Sequence, residues 1–328
     1  MLRVLAVGGG TGLSTVLRGL KYHVAQPRPA EFRPAISRLT AVVTVTDEGG
    51  SSGRLRRDLR MLPPGDIRNC LVALAEDEQL LTKIFNYRFT KGHGLRGHSL
   101  GNLLLAALTS LTHDFAKAVR LSSEVLAIRG EIFPATLADV HLKAVTRDGV
   151  VLQGERSITR TRAPIRRLQI VPSRCRPLPE TLAAIREADL ITFGPGSLYT
   201  SLVPNLLVQG ISTEIARSRA VKVLVCNLMT QPGESRGYSA ADHVRALHQH
   251  ARRKIFDYIV LNTRPLSRRL LARYAAEHAE PVPLDLDAVR ALGVKPVCAD
   301  LLIEDHVARH DSRHLAEILL ALAKRRAG

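Results

Sequence analysis

The chain has 328 residues, enough for one large α/β domain or two ordinary ones. Hydrophobic residues make up 45% and charged residues 23%, a balance that excludes disordered and fibrous architectures. Lysine and arginine outnumber the acids by 47 to 30, so nucleic acids, anionic membranes and phosphorylated small molecules are the candidate partners. Aromatic residues reach only 4%, without tryptophan, which disfavours nucleic-acid binding as the main role.

The sequence also restricts the cellular compartment. No stretch has the roughly 18 consecutive apolar residues of a membrane helix, and the N-terminal apolar run stops at three glycines, unlike a signal peptide. Cys70, Cys175, Cys226 and Cys298 lie far apart and form no CxxC pair, which argues for reduced thiols. We therefore expect a cytoplasmic protein without a membrane partner.

The first part of the chain predicts two buried strands and four helices separated by glycine-rich or polar loops. Ser99 and Asp114 are suited to cap the last two helices, and leucines surround the first of these, so we expect that helix to be buried. The strands are predicted at residues 2–7 and 39–46, and the helices at 13–21, 66–85, 100–111 and 115–127.

The middle of the chain changes character. Asp148-Gly149 between two β-type runs predicts a β-hairpin. Residues 155–177 then hold seven arginines and one acid, which indicates either a basic binding ribbon or a solvated surface.

Strands and helices alternate again in the second half, which predicts a parallel sheet wound with right-handed crossovers. The expected fold class is α/β: a Rossmann-like, mostly parallel sheet with helices on both faces and a small mixed insertion. We expect residues 1–328 to form a single domain, with the hairpin-containing insertion at about 130–178. The helices of this half are predicted at 179–188, 239–253 and 311–326.

Five loops that follow predicted strands are small, polar or rich in glycine. In an open parallel sheet, ligands bind at the carboxyl ends of the strands, near the point where the strand order reverses. The five loops therefore predict one shared crevice, and they lie at residues 8–12, 47–53, 194–197, 227–230 and 262–264.

The first two loops are suited to phosphate. Gly9, Gly10 and Gly12 allow a close backbone approach at a helix start, and Thr11 adds a hydroxyl, although a tight turn without a ligand is the alternative. Asp47 is a candidate for Mg²⁺ or a sugar hydroxyl, or merely caps a turn, and residues 49–53 form a candidate anion nest. Arg54 and Arg56 are candidates for neutralising a diphosphate.

Two further patches carry side chains that are suited to binding or catalysis. Asp66, Arg68 and Asn69 stand at a helix start, where they are suited to hold a phosphate or a sugar, while Asp66 is equally suited to act as an ordinary N-cap. His98-Ser99 lacks an acid partner and a nucleophile elbow, so hydrolase chemistry is not expected.

Six motifs in order resemble the bacterial gluconeogenesis factor family, whose wider relatives are the 2-phospho-L-lactate transferases of deazaflavin coenzyme synthesis. The resemblance runs from Leu2 to about Val244 and continues more weakly to residues 309–311. The motifs are VLAVGGGTGLSTVLRGLK, VTVTDEGGSSGRLR, PPGDIRNCLVAL, HSLGNLLLAAL, FGPGSLYTSLVPNLLV and VCNLMTQPGE with GYSAADHV.

The resemblance implies a cytoplasmic protein that binds UDP-N-acetylglucosamine and acts in central carbon metabolism, cell-wall precursor supply and cell shape. It leaves two functions open. One is a sensor that contacts a partner enzyme of cell-wall precursor synthesis, and a homo-oligomer is a further candidate assembly. The other is a Mg²⁺-dependent transferase acting on a nucleotide diphosphate, with Asp47 as the metal ligand or the base.

The family's nucleotide-binding loops match residues 9–12 and Asp47, and its second half-site matches Asn227 and residues 194–197. Tyr274 and Arg309 match its ligand region. Where the family usually shows two aspartates, this chain has Asp47-Glu48, whose second acid is one methylene longer. The candidate ligand-binding residues are Gly9, Gly10, Thr11, Gly12, Asp47, Gly50, Ser51, Ser52, Arg54, Asp66, Arg68, Asn69, Gly194, Pro195, Gly196, Ser197, Asn227, Tyr274 and Arg309.

Overall fold

A seven-stranded parallel sheet forms the centre of the computed structural model, which describes residues 1–25, 35–76 and 78–325. A three-stranded and a two-stranded antiparallel sheet accompany it. The strands of these ranges are β1 (Leu2–Gly8), β2 (Ile36–Val43), β3 (Glu131–Pro134), β4 (His141–Thr146), β5 (Val151–Gln153), β6 (Ile165–Val171), β7 (Leu190–Phe193), β8 (Val221–Val225), β9 (Tyr258–Asn262), β10 (Lys295–Ala299), β11 (Leu302–Glu304) and β12 (Ala308–His310).

The strand order of the central sheet is β10-β9-β8-β7-β1-β2-β3, so the order reverses between β1 and β7. The four central strands are apolar and almost wholly buried, as strands covered on both faces must be. Val7 of β1 pairs with Val42 of β2 on one side and with Phe193 of β7 on the other. The carboxyl ends of these three strands are therefore level at one edge.

Helices cover both faces of this sheet. In one group, α1 (Gly10–Leu20) packs against α3 (Gly65–Leu74) and α14 (Ser312–Lys324). A second group consists of α8 (Pro179–Glu187), α9 (Val203–Leu207), α10 (Ile211–Arg217) and α11 (Ala240–Ala251). A 3₁₀ turn follows α1 at Lys21–His23, and a π-helical turn precedes α9 at Leu198–Leu202. The helices of the described ranges are α1 (Gly10–Leu20), α2 (Gly50–Leu59), α3 (Gly65–Leu74), α4 (Glu78–Asn86), α5 (Leu100–Thr112), α6 (Phe115–Val125), α7 (Glu155–Arg160), α8 (Pro179–Glu187), α9 (Val203–Leu207), α10 (Ile211–Arg217), α11 (Ala240–Ala251), α12 (Arg268–Ala276), α13 (Leu286–Ala291) and α14 (Ser312–Lys324).

The structure confirms the α/β class and corrects several element boundaries. The second strand begins at Ile36 and ends at Val43, because β3, its outer neighbour, also ends its pairing there. The helix predicted over 66–85 is two helices, α3 and α4, because the backbone of Ala75 is extended. In the described ranges, no helix has the length and apolarity needed to cross a bilayer.

The helix that begins after Ser99 is only half covered, against the expectation of full burial. Ser99 does cap α5 by accepting a hydrogen bond from the backbone N–H of Asn102. Leu100 and Leu111 are, however, 37% and 77% exposed, because the helices packed on α5 cover one side of it. The prediction that this helix is buried, which rested on leucines on all of its sides, is therefore wrong.

The predicted hairpin is confirmed. Strands β4 and β5 pair antiparallel around residues 147–150, and β6 pairs with the other edge of β4. The assignment of the whole chain to one domain with an insertion at about 130–178 stays a prediction.

Candidate functional site

A cleft of about 980 Å³ opens at the sheet edge where the strand order reverses. Loops after β1, β7 and β8 line it, together with the start of α3 and parts of α7, α12 and β12. This is where an open parallel sheet places its ligands. The predicted site residues that line the cleft are Gly9, Gly10, Thr11, Gly12, Asp66, Arg68, Asn69, Pro195, Gly196, Ser197, Asn227, Tyr274 and Arg309.

The glycine turn after β1 packs directly on the turn after β7. A Cβ atom on Gly12 would lie 2.1 Å from the carbonyl oxygen of Pro195, and one on Gly9 would lie 2.6 Å from a carboxylate oxygen of Asp66. Gly10 has a φ of +62°, a conformation that glycine adopts without strain. Only glycine at positions 9 and 12 therefore allows helix α1, the turn after β7 and Asp66 to pack this closely.

Asn227 joins the exits of β7 and β8. Its side-chain oxygen accepts a hydrogen bond from the backbone N–H of Gly196 at 2.9 Å, and its side-chain nitrogen donates to the carbonyl of Gly196 at 2.9 Å. Farther along the same loop, Gln231 donates to the hydroxyl of Ser197 at 2.9 Å. These bonds hold the second half of the cleft in one shape.

The carboxyl groups of Asp66 and Glu155 line one side of the cleft, and that of Asp47 lies behind them. Burial, followed by the negative charge of Asp47, raises the pKa of Asp66 to about 7. The same two causes, in the same order, raise the pKa of Glu155 to about 8. Asp47 is held by a 2.7 Å hydrogen bond that its Oδ1 accepts from Gly49, so the groups cannot simply separate. Proton exchange near neutral pH is therefore available at this wall.

Arg68 supplies the positive charge that faces these acids. Its guanidinium donates to the hydroxyl of Ser99 and to the side-chain oxygen of Asn69, each at 2.7 Å. Burial, and next the positive charge of Arg88, lowers its pKa from the ordinary value of arginine. Ser99 is therefore both the cap of α5 and a hydrogen-bond acceptor for Arg68.

The far wall comes from the C-terminal part of the chain. The hydroxyl of Tyr274, on α12, accepts a hydrogen bond from the backbone N–H of Ala308 at 3.0 Å. Arg309, the next residue of β12, lines the cleft. The imidazole Nε2 of His310 lies 3.1 Å from the carbonyl of Cys226, which ties β12 to the end of β8. The contacts of β12 with α12 and with the end of β8 thus place Arg309 at the cleft.

The other predicted residues lie behind the cleft or beside it. Ser51 bonds to the imidazole of His98 at 2.9 Å, and Ser52 and Asp47 contact the start of α3 near Gly65. Gly50 and Arg54 line a neighbouring groove, and Gly194 is buried at the end of β7 without lining the cleft.

Arg56, which the sequence placed among candidates for a diphosphate, is committed elsewhere. It is 6% exposed, and its Nε donates to Asp139 at 2.9 Å. Burial against a carboxylate makes it a structural residue, so the sequence interpretation was wrong on this arginine.

Glu155 is the principal residue that sequence reasoning missed. Its carboxylate accepts a hydrogen bond from the backbone N–H of Glu48 at 2.7 Å, and Glu48 accepts one from the N–H of Glu155 at 3.0 Å. Glu48 Oε1 also lies 3.1 Å from Nδ1 of His141, so both oxygens of the Glu48 carboxylate have partners. The signal was present: Glu155 is the single acid among the seven arginines of 155–177.

A Mg²⁺ ion would have to rely on few protein ligands. In the ranges that the structure describes, no group of three or more histidine, cysteine, aspartate or glutamate side chains is placed to hold a metal. Mg²⁺ usually binds through one or two carboxylates together with substrate phosphates. Asp47 and Asp66, which repel one another, fit that smaller donor set.

The comparisons with known proteins agree over nearly the whole chain. Residues 4–302 match the family model described as 2-phospho-L-lactate transferase CofD. The chain is 46% identical over 323 residues to the gluconeogenesis factor of Bacillus subtilis, and the match covers 98% of both proteins. It is 47% identical over 318 residues to that of Halalkalibacterium halodurans, covering 97% of this chain and 95% of the relative. A crystal structure of a UPF0052 family member from Bacillus halodurans has a TM-score of 0.90 at 47% identity, covering 97% of this chain and 99% of that one.

Proposed function

We propose, from the premise that this chain belongs to the gluconeogenesis factors of the CofD family, that its cleft binds UDP-N-acetylglucosamine. In this proposal the protein is a cytoplasmic regulatory factor that affects central carbon metabolism, cell-wall precursor supply and cell shape. Occupancy of the cleft alters the loops that contact a partner enzyme. The choice of sugar nucleotide comes from the family resemblance of the motifs.

One observation carries the proposal: backbone-lined turns from β1 and β7 meet at the reversal of strand order and share one cavity with arginine and amide side chains. Glycine turns at a helix start accept a diphosphate, and Arg68 and Arg309 add charge to it. Asn69, Asn227 and Gln231 offer donors and acceptors for a base or sugar. The cavity, at about 980 Å³, is at the large end of small-molecule sites, as a nucleotide sugar requires.

Isothermal titration with UDP-N-acetylglucosamine tests this function. We expect one site per chain, and at least tenfold weaker binding in Arg309→Ala and in Asn227→Ala, since each loses a polar contact or the loop bridge. Arg166→Ala, an exposed change in the basic 155–177 segment, is the control and should change affinity less than twofold. A folded protein that gives no heat, or equal losses in all three variants, would refute the proposal.

A second candidate function is phosphoryl transfer, which is favoured by the position of the Asp66 and Glu155 carboxyl groups in the cleft lining, where burial raises the pKa of each. An acceptor hydroxyl would attack the lactate-bound phosphorus of a nucleotide diphospholactate. The bond to the bridging oxygen breaks, nucleotide monophosphate leaves, and the hydroxyl proton passes to a carboxylate. A Mg²⁺ ion held by Asp47 and Asp66 would polarise the diphosphate.

Incubation with nucleotide diphospholactate, the deazaflavin acceptor and Mg²⁺ distinguishes the two functions. Release of nucleotide monophosphate that disappears in Asp66→Asn would establish the transferase. Binding of UDP-N-acetylglucosamine without such release is the result expected of the regulatory factor.

A further inference from the structure

A second groove, which we call the arginine groove, lies beside the cleft and shares none of its lining residues. It has a volume of about 580 Å³. Four arginines line it together with two glycines: Arg54, Arg57, Arg96, Arg156, Gly50 and Gly97. The arginines come from α2, from the loop before α5 and from α7, so the fold brings together charges from three separate parts of the chain.

Two of the four guanidinium groups are held in place. Arg54 donates from Nη2 to the carbonyl oxygen of Arg96 at 2.7 Å. A Cβ atom on Gly97 would come within 3.2 Å of the same guanidinium, so the glycine leaves the space that Arg54 occupies. Arg156 donates from Nε to the carbonyl of Glu48 at 3.0 Å. Both bonds use neutral oxygens and leave the positive charges uncompensated.

Carboxylates do not neutralise the groove. Among the residues that the structure describes, none of its four arginines forms an ion pair, whereas the nearby Asp139 pairs with Arg56 and Glu48 lies against His141. The pKa of the buried His98 is lowered by burial and next by the positive charge of Arg54, while Asp58 opposes this to a smaller extent. The local potential is therefore positive.

We propose that the arginine groove is a second anion site, which takes a small molecule bearing two phosphate groups. Guanidinium groups stay charged at every physiological pH and bind phosphate oxygens in pairs. Four such charges around one groove repel one another, and two phosphates relieve that repulsion more completely than one. None of the described residues that line the groove is aromatic, which favours a compact phosphate compound over a stacked nucleic acid strand.

Titration of the full chain with inorganic pyrophosphate tests the site. In the double variant Arg57→Gln/Arg96→Gln, whose side chains are exposed and unpaired in the described structure, we expect at least tenfold weaker binding. The matched control is Arg166→Gln/Arg174→Gln, which removes the same charge from exposed arginines of the 155–177 segment and should lose less than twofold. Circular dichroism melting verifies that both variants are folded.

Pyrophosphate also suits the cleft, so the groove variant and its parent are compared again in an Arg309→Gln background. If the groove variant loses the same fraction of its pyrophosphate affinity in the parent and in the Arg309→Gln background, the pyrophosphate binds in the groove and not in the cleft. Three outcomes overturn the proposal: no pyrophosphate binding by the parent, equal losses in the two double variants, or tighter groove-dependent binding of an eight-residue oligouridylate than of pyrophosphate. None of these readings depends on whether the cleft binds UDP-N-acetylglucosamine.

Discussion

The carboxyl groups of Asp66 and Glu155 in the cleft wall, together with the negative charge of Asp47 behind them, make the stability of the fold depend on pH. The unfolded chain ionises Asp66 and Glu155 near pH 4, but the folded chain holds their pKa values at about 7 and about 8. Between pH 4 and pH 8 the folded state therefore binds more protons than the unfolded state. Stability falls as the pH rises through this window and changes no further from these groups above it.

Asp47→Asn should raise the free energy of unfolding at pH 8 by about 1 kcal/mol and flatten its decline with pH, because it removes the charge that opposes ionisation of the other two. The asparagine oxygen can still accept the hydrogen bond from Gly49. Urea denaturation at pH 5, 6.5 and 8 measures the effect. Asp139→Asn, which leaves Arg56 without its carboxylate partner, should instead lower the free energy of unfolding at pH 8. If Asp47→Asn also lowers the free energy of unfolding at pH 8, the charge of Asp47 does not destabilise the fold.

Two glycines of the cleft provide a matched pair for a second prediction. Gly12→Ala should cost about 3 kcal/mol, because its Cβ would lie 2.1 Å from the carbonyl oxygen of Pro195 and neither backbone can move alone. Gly196→Ala places its Cβ at an ordinary 3.4 Å from the side chain of Leu202, so it should cost less than about 1 kcal/mol. Thermal melting compares them, and equal costs would refute the close-packing argument.

The sequence could predict the glycine and asparagine residues of the cleft because they directly follow strands, and parallel strands end at one edge. It marks Glu155 as the single acid of an arginine-rich segment but could not place it in the cleft, because the partner that fixes this carboxylate is Glu48, 107 positions away. It also could not separate Arg54 from the cleft or pair Arg56 with Asp139, since neighbouring positions on a short helix point in different directions.

Among the elements, α12 contributes one of the contacts that position β12, beside the pairing with β11 and the bond between His310 and Cys226. Tyr274→Phe removes the acceptor of the Ala308 N–H, a loss of about 1 kcal/mol, and loosens the strand next to Arg309. We expect three- to tenfold weaker binding of UDP-N-acetylglucosamine in isothermal titration. Tyr22→Phe, which changes an exposed tyrosine that does not line the cleft, is the control and should bind as the parent does. Unchanged affinity in Tyr274→Phe would mean that Arg309 is placed by other contacts.

The helices differ in how well their sequence predicts them. Caps and bounds follow from local chemistry, and Ser99 and Asp114 do start α5 and α6. The coverage of α5 does not follow, because leucines on every side show that a helix can be buried but do not supply the neighbours that would bury it. The exposed Leu111 shows this directly.

At the scale of the whole molecule, the order of the sheet makes β1 depend on residues far along the chain. One edge of β1 pairs with β2 and the other with β7, which begins at Leu190. A fragment of residues 1–188 therefore lacks the partner for one edge of its central strand. We expect it to aggregate or to melt without cooperativity when it is followed by circular dichroism; a cooperative transition would show that the first half folds alone.

The same pairing has a consequence for synthesis on the ribosome. At a translation rate of roughly 5–20 residues per second, the interval between the synthesis of β2 and the synthesis of β7 lasts on the order of ten seconds. Throughout that interval the nascent chain carries an apolar, hydrogen-bonding strand edge of the kind that recruits other chains. Newly made protein should therefore depend on chaperones that shield such edges until β7 has been synthesised.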